Sequence, residues 1–248
     1  MLSEVKRISD LSDEVLIPEI RKIHQHHGTS EYINLIDELP SLQASFRSKD
    51  LGTVFASAKE LFQQTMSESL APYPGVIETL STLRSKGILI VVYTDSLAYY
   101  TNYRLRRLGL DSLVDYLFSP PDHELPAGVN SEADQLVHAK HVYLPKGVRK
   151  PDRMALLDIV DDVGRAPPEC IYLGDSLKND IAMAQDARIE DVYAKYGAAQ
   201  GHPGYAMLQK VSHWPEVDVQ RETQISERVV KPTHTINQFS DIVRFFGE

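Results

Sequence analysis

The run Ile88–Tyr93 (ILIVVY) is apolar at every position. A strand of that kind has no face to give to water, so it needs cover on both sides, as the strands of parallel α/β sheets have. The surrounding pattern agrees. A helix is expected from Val76 to about Ser85, closed by Gly87, and another over roughly Leu97–Leu108. A weak strand, Tyr116–Ser119, precedes a Pro-rich loop. A helix over Asp152–Val163 then leads to a short strand, Ile171–Leu173, followed by a helix over Asn179–Asp186 and a strand over Asp191–Ala194. Residues Ile236–Phe246 read as a closing helix. Strands alternating with helices imply right-handed crossovers and a doubly wound parallel sheet. Sheets of this kind bind ligands at the carboxyl ends of their strands.

The first 72 residues have a different texture. Ser12 can cap a helix carrying Leu16, Ile20 and Ile23 on one face, stopped by Gly28. Thr29 or Ser30 starts a second, with Tyr32, Ile33, Ile36 and Leu39 before Pro40, and a third carries Val54, Phe55, Ala58, Leu61 and Phe62 at helical spacing. Two parts are therefore expected, a helical one over 1–72 and an α/β one over 73–248, divided near Tyr73-Pro74-Gly75. Charge narrows the function. Against 35 acidic residues stand 26 Lys and Arg, a net −9, which disfavours a nucleic-acid partner because phosphate backbones reward clustered cations. The longest apolar run falls far short of the roughly 20 residues that span a bilayer, so no membrane partner is expected. No basic stretch followed by an apolar one opens the chain. Cys170 is the only cysteine and cannot form an internal disulfide, which fits a cytoplasmic protein. Oligomeric state is not legible.

Three strand ends carry groups suited to chemistry. After Ile88–Tyr93 comes Thr94-Asp95-Ser96, a hydroxyl and backbone N–H groups at the start of a helix, where an anion is favoured. The same residues also serve as ordinary helix caps. Lys150, before Pro151, offers a cation at the entry to the next helix. Directly after Ile171–Leu173 stands Gly174-Asp175-Ser176-Leu177-Lys178-Asn179-Asp180. Two carboxylates on one loop repel unless they share a cation, and oxygen donors in that arrangement suit Mg²⁺, which keeps several waters and takes one or two carboxylates. A polar turn that caps the following helix is the other reading of this loop. The trio His24, His26 and His27 sits at a helix end, where the dipole favours histidine, rather than in a metal-ligand setting.

Hydroxyl, lysine and paired carboxylates in that chain order, opened by Tyr73-Pro74-Gly75, resemble the haloacid dehalogenase-like (HAD) hydrolase superfamily over about Tyr73–Gly197. The resemblance implies a Rossmann-like α/β core with the leading helices as an α-helical cap. It further implies a Mg²⁺-dependent phosphatase acting on a small phosphorylated metabolite through an aspartyl-phosphate mechanism. Thr94 and Asp95 would bind the transferring phosphoryl group, Lys150 would balance charge at the nucleophile and contact substrate, and Asp175 and Asp180 would hold the metal.

The family's first motif, a buried strand ending in DxD, has no counterpart among these residues. Its first aspartate is the nucleophile and its second the general acid and base. The nearest approach, Ile8-Ser9-Asp10-Leu11-Ser12, follows Glu4-Val5-Lys6-Arg7, which suit a helix better than a central strand. The expectation is that such a strand lies upstream of Met1. A non-catalytic phosphate-binding or interaction protein on the same scaffold is the alternative. Residues Pro120–Gly147 are long for a connection, and a loop of that length is expected to be functional or mobile, such as a lid near Lys150.

Overall fold

A computed structural model describes residues 1–32, 34–122, 135–199, 202–224 and 229–247. Ile33 and residues 123–134 of the expected 120–147 loop lie outside the described residues. No described helix is long and apolar enough to cross a membrane. The chain divides into two compact units, and the described part of the first comprises residues 1–71 and 202–216.

Six helices open the first unit: α1 (Leu2–Ser9), α2 (Asp13–His27), α3 (Leu35–Glu38), α4 (Pro40–Ser45), α5 (Leu51–Val54) and α6 (Ala56–Ser69). Glu4-Val5-Lys6-Arg7 fold as helix, which leaves Asp10 as the left-handed cap that ends α1. The apolar stripes converge on one core in which Leu16, Leu42, Phe55 and Ala58 are fully buried. The histidines serve this packing. His24 is buried with Nδ1 2.6 Å from the Val211 carbonyl, and His27 stacks on Tyr32 while its Nε2 meets Glu38 at 2.8 Å.

The second unit alternates strand and helix: α7 (Val76–Ser85), β1 (Val91–Tyr93), α8 (Ala98–Arg107), β2 (Tyr116–Ser119), β3 (Lys140–Tyr143), α9 (Arg153–Asp162), β4 (Ile171–Gly174), α10 (Ala182–Asp186) and β5 (Glu190–Ala194). Here α11 (Tyr205–Val211) returns to the first unit, where it packs on α2. Then come α12 (Glu216–Gln224), β6 (His234–Ile236) and a 3₁₀ helix over Phe239–Phe246. All strand pairings are parallel, as the alternation requires.

Four details depart from the sequence reading. The strands form two sheets of three, ordered β1-β2-β3 and β4-β5-β6, instead of one. Both β1 and β4 are consequently edge strands, which is why the apolar run around β1 is half-buried rather than enclosed. β3 lies inside the expected loop, and its Lys140-His141-Val142-Tyr143 is too polar and short to signal a strand. Its position is set by Asp111, whose carboxylate accepts the N–H groups of Val137, His138 and Ala139 at 2.8, 3.2 and 3.0 Å. The helix expected over Asn179–Asp186 is a π-turn, Leu177–Ile181, running into α10. The closing helix is preceded by β6, which is fastened by buried Asp191 through Thr233 N–H at 2.9 Å and Thr233 Oγ1 at 2.5 Å.

Leu16 has no exposed surface. Leu16→Ala is expected to cost about 3 kcal/mol through lost burial and a residual cavity. The lone tryptophan, Trp214, belongs to the same unit. Its fluorescence during urea unfolding therefore reads that loss directly, and an unchanged midpoint would contradict the core assignment.

Candidate active site

β4 delivers the chain to Asp175 at the carboxyl edge of its sheet. A Cβ built on Gly174 would stand 2.2 Å from the Cβ of Asp180, closer than two carbons can approach, so glycine is what allows Asp180 to fold back over the strand end. The return is made by a turn with π-helical hydrogen bonding, in which the backbone is wound wider than in an α-helix. Ser176 Oγ accepts the Asn179 N–H at 3.1 Å, and the Asp180 carboxylate accepts the Ser176 N–H at 3.0 Å. These bonds close the turn on itself and leave Asp180 buried.

A buried carboxylate is costly unless it is paired and hydrogen-bonded. Lys150 Nζ donates to Asp180 Oδ1 at 2.8 Å, and the Tyr172 hydroxyl donates to the same oxygen at 3.1 Å. The two charged side chains are 16% and 4% exposed, so water does little to screen them. Burial, followed by the Asp180 charge, holds the Tyr172 phenol well above its ordinary pKa and keeps it a donor. The Lys150 ammonium also lies 5.4 Å from the centre of the Tyr93 ring, within cation–π range.

Lys150 is held by its backbone as well. Its N–H donates to the Asp95 carboxylate oxygens at 3.0 and 3.2 Å, so the residue two beyond β1 positions the lysine. Thr94 bonds within the turn that precedes α8, whose N-cap is Leu97 without a side-chain bond. Thr94 Oγ1 accepts the Ser96 N–H at 3.1 Å, and its own N–H donates to the Phe118 carbonyl at 3.0 Å.

A cavity of about 270 Å³ opens at this strand edge, lined by Lys150, Asp175 and Asp180 together with Tyr93, Tyr172 and Tyr196. The Tyr93 hydroxyl is buried with no hydrogen-bond partner. Its pKa is raised, chiefly by burial, so it remains an O–H donor. Leaving such a group unsatisfied costs about 1–3 kcal/mol. An oxygen-bearing ligand or a water would relieve that cost.

The donor chemistry suits a hard cation. Asp175 brings carboxylate oxygens to the cavity, whereas the two oxygens of Asp180 already accept from Lys150, Tyr172 and Ser176. If a hard cation binds here, Asp175 is the residue that would ligate it directly and Asp180 would act through water. No group of three or more His, Cys, Asp or Glu suited to a metal occurs among the described residues. Mg²⁺ needs no such group, because it fills its octahedron largely with water.

Of the residues singled out in the sequence, Lys150, Asp175 and Asp180 share the cavity, Asp95 supports Lys150, and Thr94 lies beside it without lining it. Sequence reasoning missed Tyr93, Tyr172 and Tyr196, which pattern alone assigns to the core. For Tyr93 the available signal was a phenol at the carboxyl end of an otherwise aliphatic strand.

A sequence model described as haloacid dehalogenase-like hydrolase matches residues 4–188. The chain is 28% identical over 192 residues to a glyceraldehyde 3-phosphate phosphatase of Methanopyrus kandleri, covering 77% of this chain and 71% of that one. It is 27% identical over 154 residues to a phosphoglycolate phosphatase of Thiobacillus denitrificans, covering 60% and 57%. The chain thus matches little more than half the length of that second relative. A 2-haloacid dehalogenase of Pseudomonas syringae has a similar fold, with a TM-score of 0.54, 19% identity, and coverage of 99% of this chain and 85% of that one.

Two stability measurements check the site. Lys150→Ala leaves the Asp180 carboxylate unpaired and should cost about 3 kcal/mol in denaturant unfolding, whereas Lys150→Met with Asp180→Leu should recover much of the loss. Gly174→Ala should cost a similar amount, about 3 kcal/mol, because the added methyl displaces Asp180. A neutral Gly174→Ala would mean that Asp180 does not fold back over β4.

Proposed function

Because the chain belongs to the haloacid dehalogenase-like hydrolase family, we propose that its strand-edge cavity is the phosphoryl site of a magnesium-dependent phosphatase acting on a small phosphorylated metabolite. The observation that carries this reading is the buried Lys150–Asp180 pair on the wall of the cavity that Asp175 also lines. A phosphoryl group brings negative charge and several acceptor oxygens, and this cavity offers an ammonium, an unsatisfied phenol and a carboxylate able to hold a divalent cation.

Each residue then has a task. Lys150 offsets substrate charge, and its ammonium is kept in one place by Asp180, the Tyr93 ring and the grip of Asp95 on its backbone. The Tyr93 hydroxyl donates to a phosphoryl oxygen. Asp175 holds Mg²⁺, with Asp180 as its water-mediated partner. When bound, the ion draws charge from the phosphoryl oxygens and favours attack at phosphorus. Thr94, which does not line the cavity, stays a turn residue beside it. The helical part over 1–72 has the role of a cap that sets substrate choice.

In this reading the nucleophile of the aspartyl-phosphate step is none of the carboxylates assigned above, since they are committed to Lys150, the Lys150 backbone and the metal. Calorimetry with Mg²⁺ present should show saturable binding of inorganic phosphate by residues 1–248, weakened about tenfold or more by Lys150→Met. The same chain should release no phosphate from p-nitrophenyl phosphate. Absence of phosphate binding would overturn the reading. Magnesium-dependent turnover would place a nucleophile within these residues after all.

A further inference from the structure

Two tyrosines at the strand-edge cavity have no task in the phosphatase reading, Tyr196 and Tyr73. β5 runs parallel to β4 with Tyr193 opposite Gly174, so the residues after β5 emerge at the same sheet edge as Asp175. A 3₁₀ turn, Lys195–Gly197, follows β5 and sets Tyr196 on the cavity wall. Gly197 keeps it close. A Cβ there would stand 3.0 Å from the Asp175 Cβ and 3.2 Å from its Oδ2, so the chain passes directly against that carboxylate. Burial, then Tyr73 and Asp175, push the Tyr196 phenol up to about 12, so it adds no charge beside a bound anion.

Tyr73 comes from another element. Tyr73-Pro74-Gly75-Val76 has the form of a type II β-turn, in which the Tyr73 carbonyl accepts the Val76 N–H at 3.2 Å. Pro74 fixes the second position, and Gly75 takes the left-handed φ of 79° that the third requires. This stiff turn holds the Tyr73 ring centre 5.0 Å from that of Tyr196, with the planes 78° apart, an edge-to-face pair. Tyr73 nevertheless remains 53% exposed, which leaves apolar ring surface for a ligand to cover.

Cavity size decides what meets these rings. The cavity holds about 270 Å³, below the roughly 300–1,000 Å³ of sites that enclose a whole drug-sized ligand. With the phosphoryl group and a hydrated cation in that space, the rest of a bulky ester extends along the wall. The other wall tyrosines are engaged, Tyr93 with its ring beside the Lys150 ammonium and Tyr172 with its hydroxyl on Asp180. Tyr196, backed by Tyr73, is left to meet the leaving group.

We propose that Tyr196 and Tyr73 form an aromatic step that packs against the leaving group of a phosphate monoester carrying a planar ring close to its ester oxygen. The inference rests on the phosphoryl-site reading above and narrows its substrate class to aryl and other ring-bearing monoesters. The step is a selector for flatness, because offset stacking and edge-to-face contact need a π system that a puckered ring of equal size lacks.

Calorimetry on residues 1–248 with Mg²⁺ tests this with inorganic phosphate, phenyl phosphate and cyclohexyl phosphate, whose ring is of similar size and apolar but not flat. Phenyl phosphate should bind about fivefold tighter than cyclohexyl phosphate. Tyr73→Leu should remove most of that preference, Tyr73→Phe should keep it, and neither should alter the binding of inorganic phosphate. The Tyr73 side chain is half exposed, so both variants should fold, and thermal unfolding of each checks this. Equal binding of the two esters, or a Tyr73→Leu effect of the same size on all three probes, overturns the aromatic step while phosphate binding still supports the phosphoryl site. Failure of inorganic phosphate itself to bind overturns both.

Discussion

The ammonium of Lys150 lies 2.8 Å from an Asp180 oxygen in a place where neither charge is well hydrated. Breaking a pair of this kind by removing one partner costs several kcal/mol, because the survivor is left buried and uncompensated. The local architecture is arranged to make the pair. Gly174 leaves room for Asp180, the π-turn swings it over the strand end, Tyr172 and the Ser176 N–H occupy its remaining acceptors, and Asp95 grips the Lys150 backbone. These groups come from the ends of two separate sheets and from the turn after β4. The pair therefore ties together segments that no strand ladder joins.

That missing ladder matters to the fold. Among the described residues β1 pairs only with β2, and β4 only with β5, so two parallel sheets each present an edge. Side chains partly compensate: Tyr93 and Tyr172 pack against the same buried group, which includes Leu156, Met183 and Ala184. The consequences are half-buried strands where a parallel α/β sheet usually has enclosed ones, and a Tyr93 hydroxyl buried without a partner. Unsatisfied polarity beside a charged pair is poor for stability and useful for binding, since a ligand with acceptor oxygens recovers what the free protein forgoes.

Charge is graded around this centre. Nearest the cavity are Lys150, Asp175 and Asp180, and Asp95 backs Lys150 from outside. Next come Arg149 and Lys178, bridged by Asp218. The chain is acidic overall, yet its cations at this edge are clustered and each has a carboxylate against it. Such an arrangement keeps cations in place without an anionic ligand.

The sequence alone was sufficient for the class of fold and for singling out three residues that share the strand-edge cavity. Apolar runs with no polar face demand a covered parallel sheet, and a glycine followed by two spaced carboxylates after such a run marks its functional edge, because these are local consequences of side-chain chemistry. Helicity at Leu2–Ser9 was legible for the same reason. What depends on distant partners was not legible. β3 is held by Asp111, some thirty residues earlier, Tyr93 and Tyr172 become site residues only because two strand ends meet Lys150, and Asp218 reaches its cations across the loop structure of the second unit. Pairing in space is decided by tertiary packing, where burial fixes which charges must find each other, and no spacing along the chain records that.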